Sequence, residues 1–145
     1  MKKIALALFM LMVCSTSAFG IVSTAEVFKR LLLTAGNLES MGSQILFAQV
    51  DNISKGSVDT QTYTLKTGSS YSIVVIGDDE RVQDIDLTVL DENSNVIGKD
   101  NDSENVAIVQ VSPRWTGLFK IRVSAYKMKS FYSDAFYSII IARND

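Results

Sequence analysis

The chain has 145 residues, 47% of them hydrophobic, with 14 basic against 16 acidic side chains and a net charge of −2. That is enough apolar material for one domain with a core of its own, and the charge balance gives no electrostatic case for nucleic acid. With no histidine anywhere, Ser-His-Asp and Cys-His catalysis are excluded and the commonest zinc ligand is missing.

Residues 1–20 open with Lys2 and Lys3, run apolar from Ile4 to Val13, and end in Ser17-Ala18-Phe19-Gly20. This is the pattern of a secretory signal peptide, too short for a membrane span and followed by no second hydrophobic segment. It implies export, to the periplasm or beyond. Cys14 is the single cysteine and lies inside that run. A lipidated Cys14 is disfavoured because Val13 stands where a small residue is expected. A chain cleaved after it has no thiol for a disulfide, a metal or a nucleophile.

Residues 21–56 read as an N-terminal helix and linker. Ser23 followed by Glu26 is a capping-box spacing, and Val27, Leu31, Leu38, Met41 and Ile45 keep one face apolar. Gly36 and Gly42 weaken the helix by about 1 kcal/mol each relative to alanine, which makes either a place for it to break. The apolar face is expected to pack on the body of the protein or cover a sheet edge, with a docking or oligomerisation role as the alternative. Asp51 to Ser57 has the composition of a turn-rich linker.

From residue 57 to 145 the period changes to two. Tyr63 and Leu65 alternate with Thr62 and Thr64, and Tyr71 to Ile76 is rich enough in β-branched residues to be central in its sheet. Along Asp84 to Asp91, Ile85, Leu87 and Val89 face the core while Asp84, Asp86 and Thr88 face away, which sets the two carboxylates about 6 to 7 Å apart. After Gly117 the same alternation turns Phe119, Ile121 and Val123 inward and Lys120 and Arg122 outward. If these two strands are neighbours, their charges cancel. Short alternating strands separated by polar turns are the grammar of an all-β antiparallel β-sandwich.

Asp84-Ile85-Asp86-Leu87 with Val89 and Asp91, then Pro113 to Gly117 leading into Phe119, Ile121 and Val123, resembles the bacterial pre-peptidase C-terminal domain family over roughly residues 60 to 143. Phe119 stands where that family has a tyrosine, and its closing strand corresponds to Tyr137, Ile139 and Ile141. The resemblance implies a jelly-roll-like accessory domain of secreted proteins, usually appended to proteases. No protease accompanies it within these residues.

Ten acidic residues lie between Asp78 and Glu104, against Arg81 and Lys99. Asp100-Asn101-Asp102-Ser103-Glu104 has the opening spacing of an EF-hand, but Asn105 occupies the glycine position and Val111 the bidentate glutamate position, so that motif is rejected. A calcium site assembled between loops remains open. Asp78, Asp79, Asp100 and Asp102 are its candidate ligands, since only hard oxygen donors are present. Paired carboxylates also occur in glycoside hydrolases, but the chain leaves little room for a substrate cleft beside a sandwich core.

Trp115, in the turn before Gly117, is the candidate ligand-binding residue. It either stacks on a sugar or partner or caps the end of the core. Tyr126, Phe131, Tyr132 and Phe136 gather near another loop. The sequence therefore reads as a non-enzymatic accessory or binding module for a protein or carbohydrate partner, with a calcium-stabilised carbohydrate-binding or adhesion protein as the alternative. Mass spectrometry of the exported protein is expected to find an N-terminus between Phe19 and Val22, and a diacylated Cys14 would overturn soluble export.

Overall fold

A computed structural model describes residues 24–144. The expected leader, Cys14 and Ser23 of the capping box lie outside the described residues. Helix α1 (residues 24–40) continues through Gly36 and ends just before Gly42, whose φ of +92° is left-handed backbone that glycine adopts without a Cβ penalty. The Ser43 N–H donates to Leu38 O and the Gly42 N–H to Glu39 O, both at 3.0 Å. These are the two bonds of a Schellman end.

The helical spacing expected to run through Ile45 therefore ends at residue 40, just before the second of the two glycines. Strand β1 (Gln44–Ser54) takes up the end of the helical spacing and most of the Asp51 to Ser57 linker, leaving only residues 55–57 as turn. Met41, expected on the apolar face, is 82% exposed. Ile45 is apolar for another reason: it lies on β1 and packs in the cluster around Leu31.

The remaining strands are β2 (Val58–Leu65), β3 (Ser70–Gly77), β4 (Val82–Leu90), β5 (Val96–Asp100), β6 (Val106–Val111), β7 (Gly117–Met128) and β8 (Asp134–Asn144). They form two four-stranded sheets ordered β1-β8-β3-β6 and β2-β7-β4-β5, with every pairing antiparallel. That order is the jelly roll, two sheets closed over one core.

Alternation decides what fills the core. Ile73, Val75, Tyr137, Ile139 and Ile141 from the first sheet meet Ile85, Leu87, Val89, Phe119, Ile121 and Val123 from the second, and all are buried. The opposite faces of β3 and β8 are apolar too. Val74, Ile76 and Ile140 are buried in a second cluster with Leu31 of α1, so the helix lies on the outer face of the first sheet rather than on a sheet edge. The outer face of the second sheet needs no cover, since β2 turns Thr60, Thr62 and Thr64 to solvent.

Two devices tie the sheets together. The Tyr137 hydroxyl donates to the Asp59 carboxylate and accepts from Gln61 Nε2 at 3.3 Å, joining β8 to β2 through the core. Burial first, and then the Asp59 hydrogen bond, push its ionisation well above the ordinary phenol range. At the other side Gly98 permits the close approach of β5 to β6, because a Cβ there would collide with Val109 Cγ1. Leu87→Ala is expected to cost about 2 to 5 kcal/mol through lost burial and a cavity, and Gly98→Ala about 1 to 3 kcal/mol through overpacking. Denaturant melts measure both, and a change under about 0.5 kcal/mol in Leu87→Ala would mean that this strand's register is wrong.

Candidate binding surfaces at the two ends of the sandwich

Because every strand reverses direction, the loops 55–57, 78–81, 101–105 and 129–133 fall at one end, and 66–69, 91–95 and 112–116 at the other. Both acidic loops and the aromatic 129–133 loop thus share an end. Trp115 lies at the opposite one.

The first end is built on two arginines. Arg30 of α1 donates to Gly77 O and to Asp79 Oδ1, each at 2.7 Å. Arg81 donates to Asp134 Oδ1 at 3.1 Å, lies 3.6 Å from Asp78 Oδ2, and stacks its guanidinium 5.2 Å from the Tyr132 ring centre. Tyr132 in turn donates to Glu80 Oε1 at 2.9 Å, and that bond raises its ionisation. Lys129 closes the set, donating through Nζ to Asp79 O at 2.5 Å and through its backbone to Arg81 O at 2.8 Å. The 78–81 and 129–133 loops are therefore one bonded unit.

The expected calcium ligands sit within this arrangement but already serve other partners. Asp78 is buried, accepts from the Glu80 N–H at 2.9 Å and faces Arg81. Asp79 is held by Arg30 and Asn105. Asp100 accepts from the Asp102 N–H at 3.2 Å and the Ile108 N–H at 2.7 Å, and Asp102 accepts from the Glu104 N–H at 3.1 Å. The Asp79–Asn105 contact does bring the two acidic loops together. Among the described residues no three or more acidic, histidine or cysteine side chains are grouped as a metal site.

A different carboxylate stands out. Strands β4 and β7 are neighbours, but their register sets Thr88 opposite Arg122 and Asp86 opposite Ser124, leaving only Asp84 opposite a cation, Lys127. Asp84 is 7% exposed and its Oδ1 has no hydrogen-bond partner. Burial raises its pKa, and the nearby charges of Asp86 and Asp102 raise it further, while Lys127 only partly offsets them. Asp86 is raised as well, again chiefly by burial.

At the other end Trp115 is 38% exposed, with its ring stacked at 5.9 Å and 30° on Phe119 and pressed against Gly117. The ring thus covers the end of the core and leaves one edge exposed. Together with Ile97, Pro113 and Arg114 it lines a hollow of about 350 Å³.

The residue that sequence reasoning undervalued is Phe131. It is fully exposed, and its φ of +76° is left-handed backbone that bulky residues avoid. Tyr126 is exposed too, whereas Tyr132 and Phe136 are partly covered. No local motif marks Phe131. Its one sequence signal is an aromatic at the middle of the short polar stretch that separates two strands.

This architecture defines a jelly-roll sandwich with one helix-covered face, and similar structures share it at low sequence identity. No family model matches the sequence and no curated protein matches it significantly. The chain is similar to Aeromonas hydrophila PliG, a periplasmic lysozyme inhibitor of g-type lysozyme, with a TM-score of 0.50 and 15% identity over 72% of this chain and 90% of that one. It is equally similar to the pre-peptidase C-terminal domain of collagenase from Bacillus anthracis, with a TM-score of 0.50 and 13% identity over 66% and 87%. The fold implied by the family resemblance is thus present, shared with an inhibitor of a different kind. No helix among the described residues is long and apolar enough to cross a membrane.

The raised pKa of Asp84 makes the fold's stability depend on pH. Its ionised form burdens the native state fully above the folded pKa, and the burden lifts as pH falls through that value towards the ordinary aspartate value of 3.8. Asp84→Asn is therefore expected to be more stable than wild type at pH 7, with the gain shrinking as pH is lowered through the carboxylate range. Denaturant melts of both proteins at pH 7 and pH 4 make the comparison, and a loss of stability at pH 7 would show that the carboxylate has a favourable partner.

Proposed function

We propose that the protein is an exported, non-enzymatic binding module that docks on a protein partner through the 129–133 loop, with Phe131 as the anchor. The observation that carries this reading is Phe131 itself. A phenyl ring left in water and a left-handed backbone both work against the isolated fold, and strain of this kind, typically about 1 to 3 kcal/mol, gathers at binding sites. Aromatic side chains dominate the binding energy of protein interfaces. The bonded unit beneath the loop holds the ring in place before any partner arrives, which lowers the ordering cost of association.

The similarity to a periplasmic lysozyme inhibitor supports a role in engaging another macromolecule, and g-type lysozyme is a defined first partner to assay. The carbohydrate alternative rests on the open edge of Trp115. Its calcium-stabilised form has less support, because Asp78 and Asp79 are neutralised by arginines.

Phe131→Gly separates stability from binding. Glycine adopts the loop's φ freely, so the variant is expected to be as stable as wild type or more stable by up to about 1 kcal/mol, while partner affinity falls at least about tenfold. Affinity capture from the native envelope, binding to g-type lysozyme and a glycan array, each run with Phe131→Gly and Trp115→Ala, provide the readout. Unchanged binding in Phe131→Gly together with loss in Trp115→Ala would replace the protein-docking reading with the carbohydrate one.

A further inference from the structure

Helix α1 buries Val27 and Leu31 against the sheet, yet it also shows Phe28 and Leu32 to solvent at 51% and 55% exposure. At 3.6 residues per turn, Phe28, Lys29, Leu32, Gly36 and Glu39 share one outward face, and all of them are exposed. Gly36 is the unexplained member. A glycine inside an exposed helix costs about 1 kcal/mol relative to alanine. Nothing lies within 4 Å of the Cβ it lacks, and its backbone is not left-handed. Neither a turn nor a close neighbour within the monomer accounts for it. Close approach of another backbone does.

We infer that this face of α1 is the contact of a homodimer in which the two helices pack antiparallel about a two-fold axis that crosses the face at the height of position 34, midway between Leu32 and Gly36. The symmetry is readable in the sequence. Such an axis relates position 32 to 36, 29 to 39 and 28 to 40. Leu32 of each copy then enters the space over Gly36 of the other, and Phe28 lies over Ser40, whose hydroxyl is turned back onto Gly36 O at 2.8 Å. Lys29 meets Glu39 of the second copy, twice by symmetry. Among the described residues neither of these side chains has an ion-pair partner within the chain.

Charge also selects the direction. A parallel pairing would set Lys29 beside Lys29 and Glu39 beside Glu39, with Leu32 opposed to Leu32 and no use made of Gly36. The contact is isologous and therefore closes at two copies. One helix per subunit makes a small interface, so the expected state is a reversible dimer rather than an obligate one. It leaves Phe131 free, because that residue lies on the 129–133 loop and not on the helix.

Sedimentation velocity and equilibrium on the exported protein, from micromolar to millimolar concentration, test the contact. Wild type is expected to show a monomer–dimer equilibrium. Leu32→Asp, at an exposed position that leaves the core untouched, is expected to weaken it at least about tenfold. Lys29→Glu and Glu39→Lys should each weaken association, and the double variant carrying both should restore it, a recovery that general surface stickiness cannot produce. Thermal melts of all four variants check that the monomer fold is intact. A wild type that stays monomeric across the range, a dimer that persists in Leu32→Asp, or a double variant no better than the singles would each overturn the proposal.

Discussion

The constraint from which the rest of the molecule follows is that β3 and β8 are apolar on both faces. A strand that alternates hydrophobic with polar side chains needs one cover, and the second sheet supplies it for Ile73, Val75, Ile139 and Ile141. Val74, Ile76 and Ile140 point the other way and need another, which only a further layer can supply. Helix α1 is that layer. Its burial against the sheet, rather than its intrinsic propensity, accounts for a helix that tolerates Gly36. The cover is incomplete towards β6, where Leu33, Met41 and Ile108 border a groove of about 730 Å³ between helix and sheet.

The two ends of the sandwich solve different problems. At the Trp115 end an aromatic pair closes the core. At the other end four loops converge, and a network of unlike charges holds them. Arg81 is mostly buried yet serves Asp78, Asp134 and the Tyr132 ring at once. Sharing a cation among several acceptors offsets the cost of removing it from water better than a single pair would. The same carboxylates that look like metal ligands in the sequence are thus spent on fixing loop geometry. A loop fixed in this way can hold a residue such as Phe131 in a conformation it would not choose.

Much of the architecture was legible because period-two alternation is unambiguous where one face is polar. Leu87 with Val89, and Phe119 with Ile121 and Val123, face the core as their spacing requires. Strand β1 was not legible, since Met41 and Ile45 extend by coincidence the helical spacing that ends with Leu38, and the irregularity between Ile45 and Phe47 breaks the alternation that would have contradicted it. The signal that distinguishes the two is Gly42, a glycine at the position that ends a helix. The sites were harder still. Whether an aspartate meets an arginine, an amide or nothing depends on loop convergence and strand register, so Asp84, which shares its face with Asp86 in the sequence, keeps a buried Oδ1 without a hydrogen-bond partner while Asp78 and Asp79 face arginines.

Asp100 illustrates how one side chain can decide a protein's behaviour in a crowd. Strand β6 is an edge of its sheet, and an edge offers free amides to any extended chain that passes. By accepting the Ile108 N–H at 2.7 Å, the Asp100 carboxylate fills the middle rung of that ladder with a side chain from the neighbouring sheet. An incoming strand would find a negative charge where its own carbonyl needs the Ile108 N–H, and would have to displace it before making that backbone bond. The edge is thereby barred from templating filaments or joining itself to unfolded chains. Solubility of the chain while it folds would suffer from loss of that carboxylate well before the folded monomer registered a change.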